Sequence, residues 1–125
     1  MEEGKILYPE LSYRIMEAAF EVHNELGPGL REKPYEGALA YEFESRNIPF
    51  ERQKQITVNY KGRDVGEDFL DLVVDGKIAL ELKAVAALLD VHKQQTLSYV
   101  KAARLKLGIL INFGTPRVEY VRILN

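Results

Sequence analysis

At 125 residues and 14.3 kDa, 46% hydrophobic and 29% charged, the chain has the size and composition of one folded domain, residues 1–125, and not of a disordered segment. It has no cysteine and only two histidines, His23 and His92, which excludes a disulfide framework, a thiolate or His-rich metal centre and a cysteine nucleophile. The net charge of −2 excludes a global basic field, there is no apolar run of about 18 residues, and Met1-Glu2-Glu3 is no signal-peptide opening, so a cytoplasmic protein with no membrane span is expected. Within that total, residues 1–51 hold 11 acids and 5 bases, whereas residues 52–125 hold 8 acids and 12 bases. The second part can present a modest positive face or simply scattered solvated charges.

The first element is a helix. Leu11, Ile15, Ala18, Ala19, Val22 and Leu26 form one apolar stripe after Pro9, and Gly27-Pro28-Gly29 stops it. A second helix enters near Lys33-Pro34, carries Tyr35, Ala38, Leu39 and Phe43 on its apolar face, and ends at Ser45–Pro49. The period then changes from helical to alternating. Ile56 to Tyr60 reads as a half-buried strand, Lys61–Asp64 as a turn, Val65 to Val74 as a second strand and Ile78 to Lys83 as a third, with Asp75-Gly76 as the hairpin turn. Leu88 to Arg104 reads as a third helix. Leu107 to Phe113 is a strand buried on both faces, and Val118 to Leu124 a last strand after Gly114-Thr115-Pro116. The third helix is long enough to cross over to a parallel neighbour, so the expected fold is α/β (α+β): a mixed sheet flanked by helices.

Two carboxylates sit where strands should be apolar: Asp71 in Phe69–Val74 and Glu81 in Ile78–Lys83. Ionised carboxylates there are costly unless paired or bound to a cation. A three-residue hairpin loop matches Leu70, Leu72 and Val74 with Ile78, Leu80 and Leu82, and gathers Asp71, Glu81 and Lys83 on the other face. A two-residue loop would instead set Asp68 beside Glu81. Magnesium or manganese suits such oxygen donors, and a divalent ion can activate water and neutralise phosphoryl charge while Lys83 orients the water. A buried Asp–Lys–Glu ion cluster without chemistry stands beside that reading. On the third helix Gln95 and Tyr99 are four apart and share a face. They can complete such a site or merely form a solvated face. Lys101, Arg104 and Lys106, like Lys93 upstream, can contact phosphates or solvate the helix. His23 is expected at the surface or packed against a neighbour.

Five segments then occur in order: Gly29-Leu30-Arg31-Glu32-Lys33-Pro34-Tyr35, Asp71–Val74, Glu81-Leu82-Lys83-Ala84, Gln95-x-x-x-Tyr99 and Leu107–Gly114. Together they resemble the GxxExxY proteins, a prokaryotic group of the PD-(D/E)xK nuclease superfamily, over Leu11 to Leu124. The resemblance implies a restriction-endonuclease-like core. It implies a metal site from Asp71, Glu81 and the backbone carbonyl of Leu82, with Lys83 as catalytic lysine, Glu32 as an additional acid at the metal or in catalysis, and Gln95 and Tyr99 as the motif of the exonuclease-like branch. Lys33-Pro34 bears on where the second helix begins and so on the reach of Glu32.

The expected function is a magnesium- or manganese-dependent nuclease that hydrolyses phosphodiester bonds in nucleic acid, DNA first, with Lys93, Lys101 and Arg104 as backbone contacts. The alternatives are a non-catalytic nucleic-acid-binding or regulatory module on the same scaffold, and an ion cluster in a protein–protein adaptor. A chain this small has little surface for wrapping a duplex, so a homodimer is one expected arrangement.

Overall fold

The computed structural model describes residues 6–125; the acidic opening Met1-Glu2-Glu3 lies outside the described residues. The elements in chain order are α1 (Pro9–Leu26), α2 (Glu32–Ser45), β1 (Phe50–Tyr60), β2 (Arg63–Val74), β3 (Ile78–Lys83), α3 (Asp90–Ala102), β4 (Leu107–Asn112) and β5 (Glu119–Leu124). They build one five-stranded mixed sheet in the order β1-β2-β3-β4-β5. Only β3 and β4 run parallel, joined by the α3 crossover that the sequence predicts.

Helix α1 begins on Pro9, whose missing N–H is no loss in a first turn, and stops at Gly27, where φ is 71°. Ile15, Ala18, Ala19 and Val22 of its stripe are buried. Leu26 is not: the helix ends there, and its side chain is 41% exposed. The loop that follows is tied down by Tyr35, whose hydroxyl donates to Gly27 O and accepts the Leu30 N–H at 3.2 Å. The Tyr35 ring stacks on Phe113 at 4.6 Å with 6° between planes, locking α2 against the end of β4. His23 is buried, lies 6.3 Å from Phe113 and hydrogen-bonds Thr115 O through Nε2 at 3.0 Å, so it packs against neighbours.

Helices α1 and α2 cover one face of the sheet, over Leu72, Val74, Ile78, Leu80, Leu82, Ile109 and Ile111. Helix α3 covers the other, over Ile56, Leu70, Val73 and Ala79. It lies close: a Cβ built on Gly108 would stand 2.5 Å from Val100 Cγ2. The β2–β3 register is the one expected, with Leu72 opposite Leu80 and Val74 opposite Ile78 across a three-residue loop whose Asp75 and Gly76 are left-handed.

The strand predictions fail in one instructive place. The strand β1 starts at Phe50, six residues before the alternation at Ile56 becomes readable, and Leu70 packs on the α3 side instead of beside Leu72. The departures have separate causes: residues 51–55 are all polar and exposed, so no alternation marks the start of β1, whereas the placement of Leu70 follows from a backbone reversal. Gln53 has φ 49°, and the β1–β2 ladder skips it, passing from Arg52–Leu72 to Lys54–Leu70. The two strands change faces there. Before the switch Phe50 meets Phe43 of α2 at 5.8 Å; after it Ile56 and Leu70 face α3. A period-2 pattern cannot be read across such a reversal.

Candidate metal and phosphodiester site

The Asp71 backbone lies at the face switch, where the regular β2–β3 ladder has ended at Leu72 and Leu80. Side chains take over from backbone pairing. The Asp71 N–H donates to Glu81 Oε1 at 3.1 Å, and the Leu82 N–H donates to Asp71 Oδ2 at 2.7 Å. The two carboxylates are thus laced together across the strand gap, each with one oxygen engaged by a backbone N–H. The loop after β3 is clamped as firmly. Asn112, fully buried, accepts from Val85 N at 3.0 Å and donates to Val85 O at 2.9 Å, while Phe113 N donates to Lys83 O at 2.8 Å. The Asn-Phe-Gly end of the β4 segment therefore fixes the backbone that carries Lys83.

Lys83, Gln95 and Tyr99 are joined by side-chain hydrogen bonds. Lys83 Nζ donates to Gln95 Oε1 at 3.2 Å, Gln95 Nε2 donates to the Tyr99 hydroxyl at 3.4 Å, and that hydroxyl donates to Asp68 Oδ2 at 2.6 Å. Helical spacing puts the amide and phenol on one face, and the face switch brings Asp68 round to meet them. This chain holds the Lys83 ammonium toward α3. Among the described residues Lys83 forms no ion pair with Asp71 or Glu81, so the simple Asp–Lys–Glu cluster is not what the chain builds.

The electrostatics follow from that arrangement. Burial, and then the Asp71 charge, push the Glu81 carboxyl up to about 8. Burial likewise raises Asp71, with the Glu36 charge adding to it, while the Leu82 N–H and the Gln53 side chain pull it down. Tyr99 is pushed up to about 12, chiefly because its proton is shared with Asp68. Two neighbouring acids held reluctant to ionise are what an oxygen-seeking cation would relieve. No group of three or more His, Asp or Glu side chains close enough to hold an ion occurs among the described residues. The pair Asp71 and Glu81 is thus the acidic part of the site, held by the backbone N–H groups of Asp71 and Leu82.

Glu32 is the first residue of α2 and is exposed, with no hydrogen bond or ion pair of its side chain among the described residues. The α2 acid that approaches Asp71 is Glu36, one turn on, 5% exposed, and held by Arg52 Nε at 3.1 Å and Gln53 Nε2 at 2.7 Å. The signal was present: Glu36 falls with Leu39, Ala40 and Phe43 at i, i+3, i+4 and i+7, an acid inside an apolar stripe. Gln53 carries no such signal, and Asp68 enters the sequence reading only through the alternative hairpin register; the face switch is what brings both in. Lys93 lies 4.0 Å from Asp90 in the first turn of α3. Lys101, in the last turn of α3, and Arg104, just beyond it, line a shallow groove with Thr57 and Asn59 of β1. His92 caps α3, its Nδ1 accepting the Leu89 N–H at 3.0 Å.

Comparison with known proteins agrees with this fold. No curated protein matches the chain. The crystal structure of SSO0001 resembles it with a TM-score of 0.62 at 19% identity, over 94% of this chain and 62% of that one, which shows a shared fold. This chain thus spans less than two thirds of that protein's length. Residues 9–123 match the family model described as PD-(D/E)XK nuclease superfamily, and a protein with this mixed sheet and with Asp71, Glu81 and Lys83 at the end of its β2–β3 hairpin belongs to that superfamily.

Proposed function

We propose that the chain is a magnesium- or manganese-dependent phosphodiesterase acting on nucleic acid, with DNA as the first substrate to test. The reading is carried by one observation: Asp71 and Glu81 are laced together beside Lys83, both raised by burial and by neighbouring charge. Membership of the nuclease superfamily supports it. Asp71, Glu81 and the Leu82 carbonyl would hold the divalent ion, with water completing its shell. The ion supplies charge neutralisation at the scissile phosphate and acidifies water.

The protein's own groups do the rest. Lys83, steadied by Gln95, donates hydrogen bonds to the attacked phosphoryl group and orients the nucleophile, where a positive donor is worth most as negative charge builds. Tyr99 and Asp68 hold Gln95 in turn. Lys101 and Arg104 contact phosphates away from the cleaved bond. Within the superfamily we place the chain with the prokaryotic GxxExxY group, on Gly29 to Tyr35. We expect it in the cytoplasm; in the structure, no described helix is long and apolar enough to cross a membrane. A second copy would extend the surface for a duplex.

The test is cleavage of single-stranded, duplex and branched DNA and RNA with magnesium or manganese. Wild type should cleave at least one substrate, and Lys83→Ala should lose about 100-fold or more while still binding the ion. Salt-sensitive DNA binding with no cleavage by wild type would assign the chain instead to the non-catalytic binding modules. Neither binding nor cleavage would leave the adaptor reading.

A further inference from the structure

The run of hydrogen bonds from Lys83 through Gln95 and Tyr99 to Asp68 has a direction. An ammonium can only donate and a carboxylate can only accept, whereas the amide and the phenol between them can do both. Asp68 has both oxygens engaged by neutral donors: Oδ1 by the Phe69 N–H at 3.0 Å and Oδ2 by the Tyr99 hydroxyl at 2.6 Å. Among the described residues it forms no ion pair. The phenol has one proton. Once that proton goes to Asp68, the phenol oxygen can only accept, so it takes Gln95 Nε2 at 3.4 Å and leaves Gln95 Oε1 to face Lys83 Nζ at 3.2 Å.

We propose that Asp68 is a positioning residue: by holding the Tyr99 proton it fixes which end of the Gln95 amide meets Lys83, and so keeps the ammonium turned toward α3 and off the carboxylates. Its consequence for cleavage rests on the phosphodiesterase reading, which it deepens. Glu81 and Lys83 share one face of β3, so an ammonium released from Gln95 has a carboxylate beside it and pairs there instead of meeting a phosphoryl group. The direction of the run makes reversing it worse than breaking it. An asparagine at 68 keeps its one carbonyl oxygen for the Phe69 N–H and presents Nδ2 to Tyr99. The phenol then accepts from it and donates to Gln95 Oε1, which turns Nε2 against the ammonium, donor to donor. With no hydroxyl at 99, only Lys83 acts on the amide, and it selects Oε1.

The test is NMR of the Lys83 ammonium and the Gln95 side-chain amide in the metal-free protein, with melting curves to show that each variant is folded. Wild type, Asp68→Asn, Asp68→Ala, Tyr99→Phe and the Asp68→Asn/Tyr99→Phe pair are compared. Asp68→Asn, the isosteric change, should move both signals and speed exchange of the ammonium protons with water. Asp68→Ala should move them less although it removes more atoms, because it imposes no donor on Tyr99. Adding Tyr99→Phe to Asp68→Asn should bring the signals back to those of Tyr99→Phe alone. A purely structural role predicts the reverse order, with damage rising from Asn to Ala and to the pair. On a substrate that wild type cleaves, Asp68→Asn should lower kcat about tenfold or more with KM little changed. Signals unmoved by Asp68→Asn, a change that persists in the Tyr99→Phe background, or a wild-type ammonium that exchanges as fast as the solvated lysines overturns the role of Asp68. A wild type that cleaves nothing overturns the phosphodiesterase reading, and the NMR signals still decide whether Asp68 directs Lys83.

Discussion

The two faces of the sheet are built to different standards. Under α1 and α2 the sheet buries a broad aliphatic layer, closed at one end by the Tyr35–Phe113 stack. Under α3 the buried apolar set shrinks to Ile56, Leu70, Val73, Ala79 and Val100, and the same face carries Glu81, Lys83, Gln95, Tyr99 and Asp68. The strands β2 and β3 serve both faces. The first face contributes most of the hydrophobic stabilisation, and that surplus lets the second keep two acids in an environment that opposes their charge. A site of this kind sits on a rigid strand pair because the opposite face holds that pair still.

If the contrast is right, breaking the first face should cost the most. Leu80→Ala, at a fully buried position under α1 and α2, should destabilise the protein by about 2–5 kcal/mol in denaturant unfolding. A loss below about 1 kcal/mol would show that the large face is not the main anchor.

The second face should show the opposite sign at its acid. Since Glu81 is raised to about 8 in the fold, its contribution to stability is present below the ordinary glutamate range and fades as pH climbs to about 8. The metal-free protein should therefore lose stability between about pH 4.5 and 8. Glu81→Gln, which can still accept the Asp71 N–H, should escape that loss and be the more stable protein at pH 8, by on the order of 2–3 kcal/mol. Melting curves at pH 5 and pH 8 decide it, and a Gln variant less stable at pH 8 would mean that Glu81 is held by a favourable partner.

A smaller effect probes the seam between α3 and the sheet. Gly108→Ala places a methyl against Val100 Cγ2, so it should cost about 1–3 kcal/mol and move α3, measurable as lost stability together with altered environment of Tyr99. The smallest effect is expected at the polar chain. Tyr99→Phe removes one hydrogen bond to Asp68, for about 1 kcal/mol, with the helix intact by circular dichroism.

The local residues announced much of this. Stripes, turn residues and the switch from helical to alternating period placed eight elements in the right order, and the two acids in apolar strands pointed at the site before any contact was known. Glu36 was legible by the same logic, as an acid in a helical stripe, whereas the eye is drawn to Glu32 by its motif. The reversal at Gln53 was not legible. A left-handed glutamine leaves no mark in composition, and it breaks the alternation by which Leu70 and Asp68 would have been assigned a face, while the all-polar residues 51–55 hide the start of β1.

Sequence alone determined the elements, their order and the hairpin register, because hydrophobic period and turn stereochemistry are local properties of the chain. Tertiary structure decided which side of the sheet each half of the long hairpin faces, which α2 acid turns inward, and that Lys83 leans on Gln95 instead of pairing with a carboxylate. Those outcomes depend on a backbone reversal opposite Asp71 and on the close seating of α3 over Gly108, and both arise only when strands distant in sequence are brought side by side.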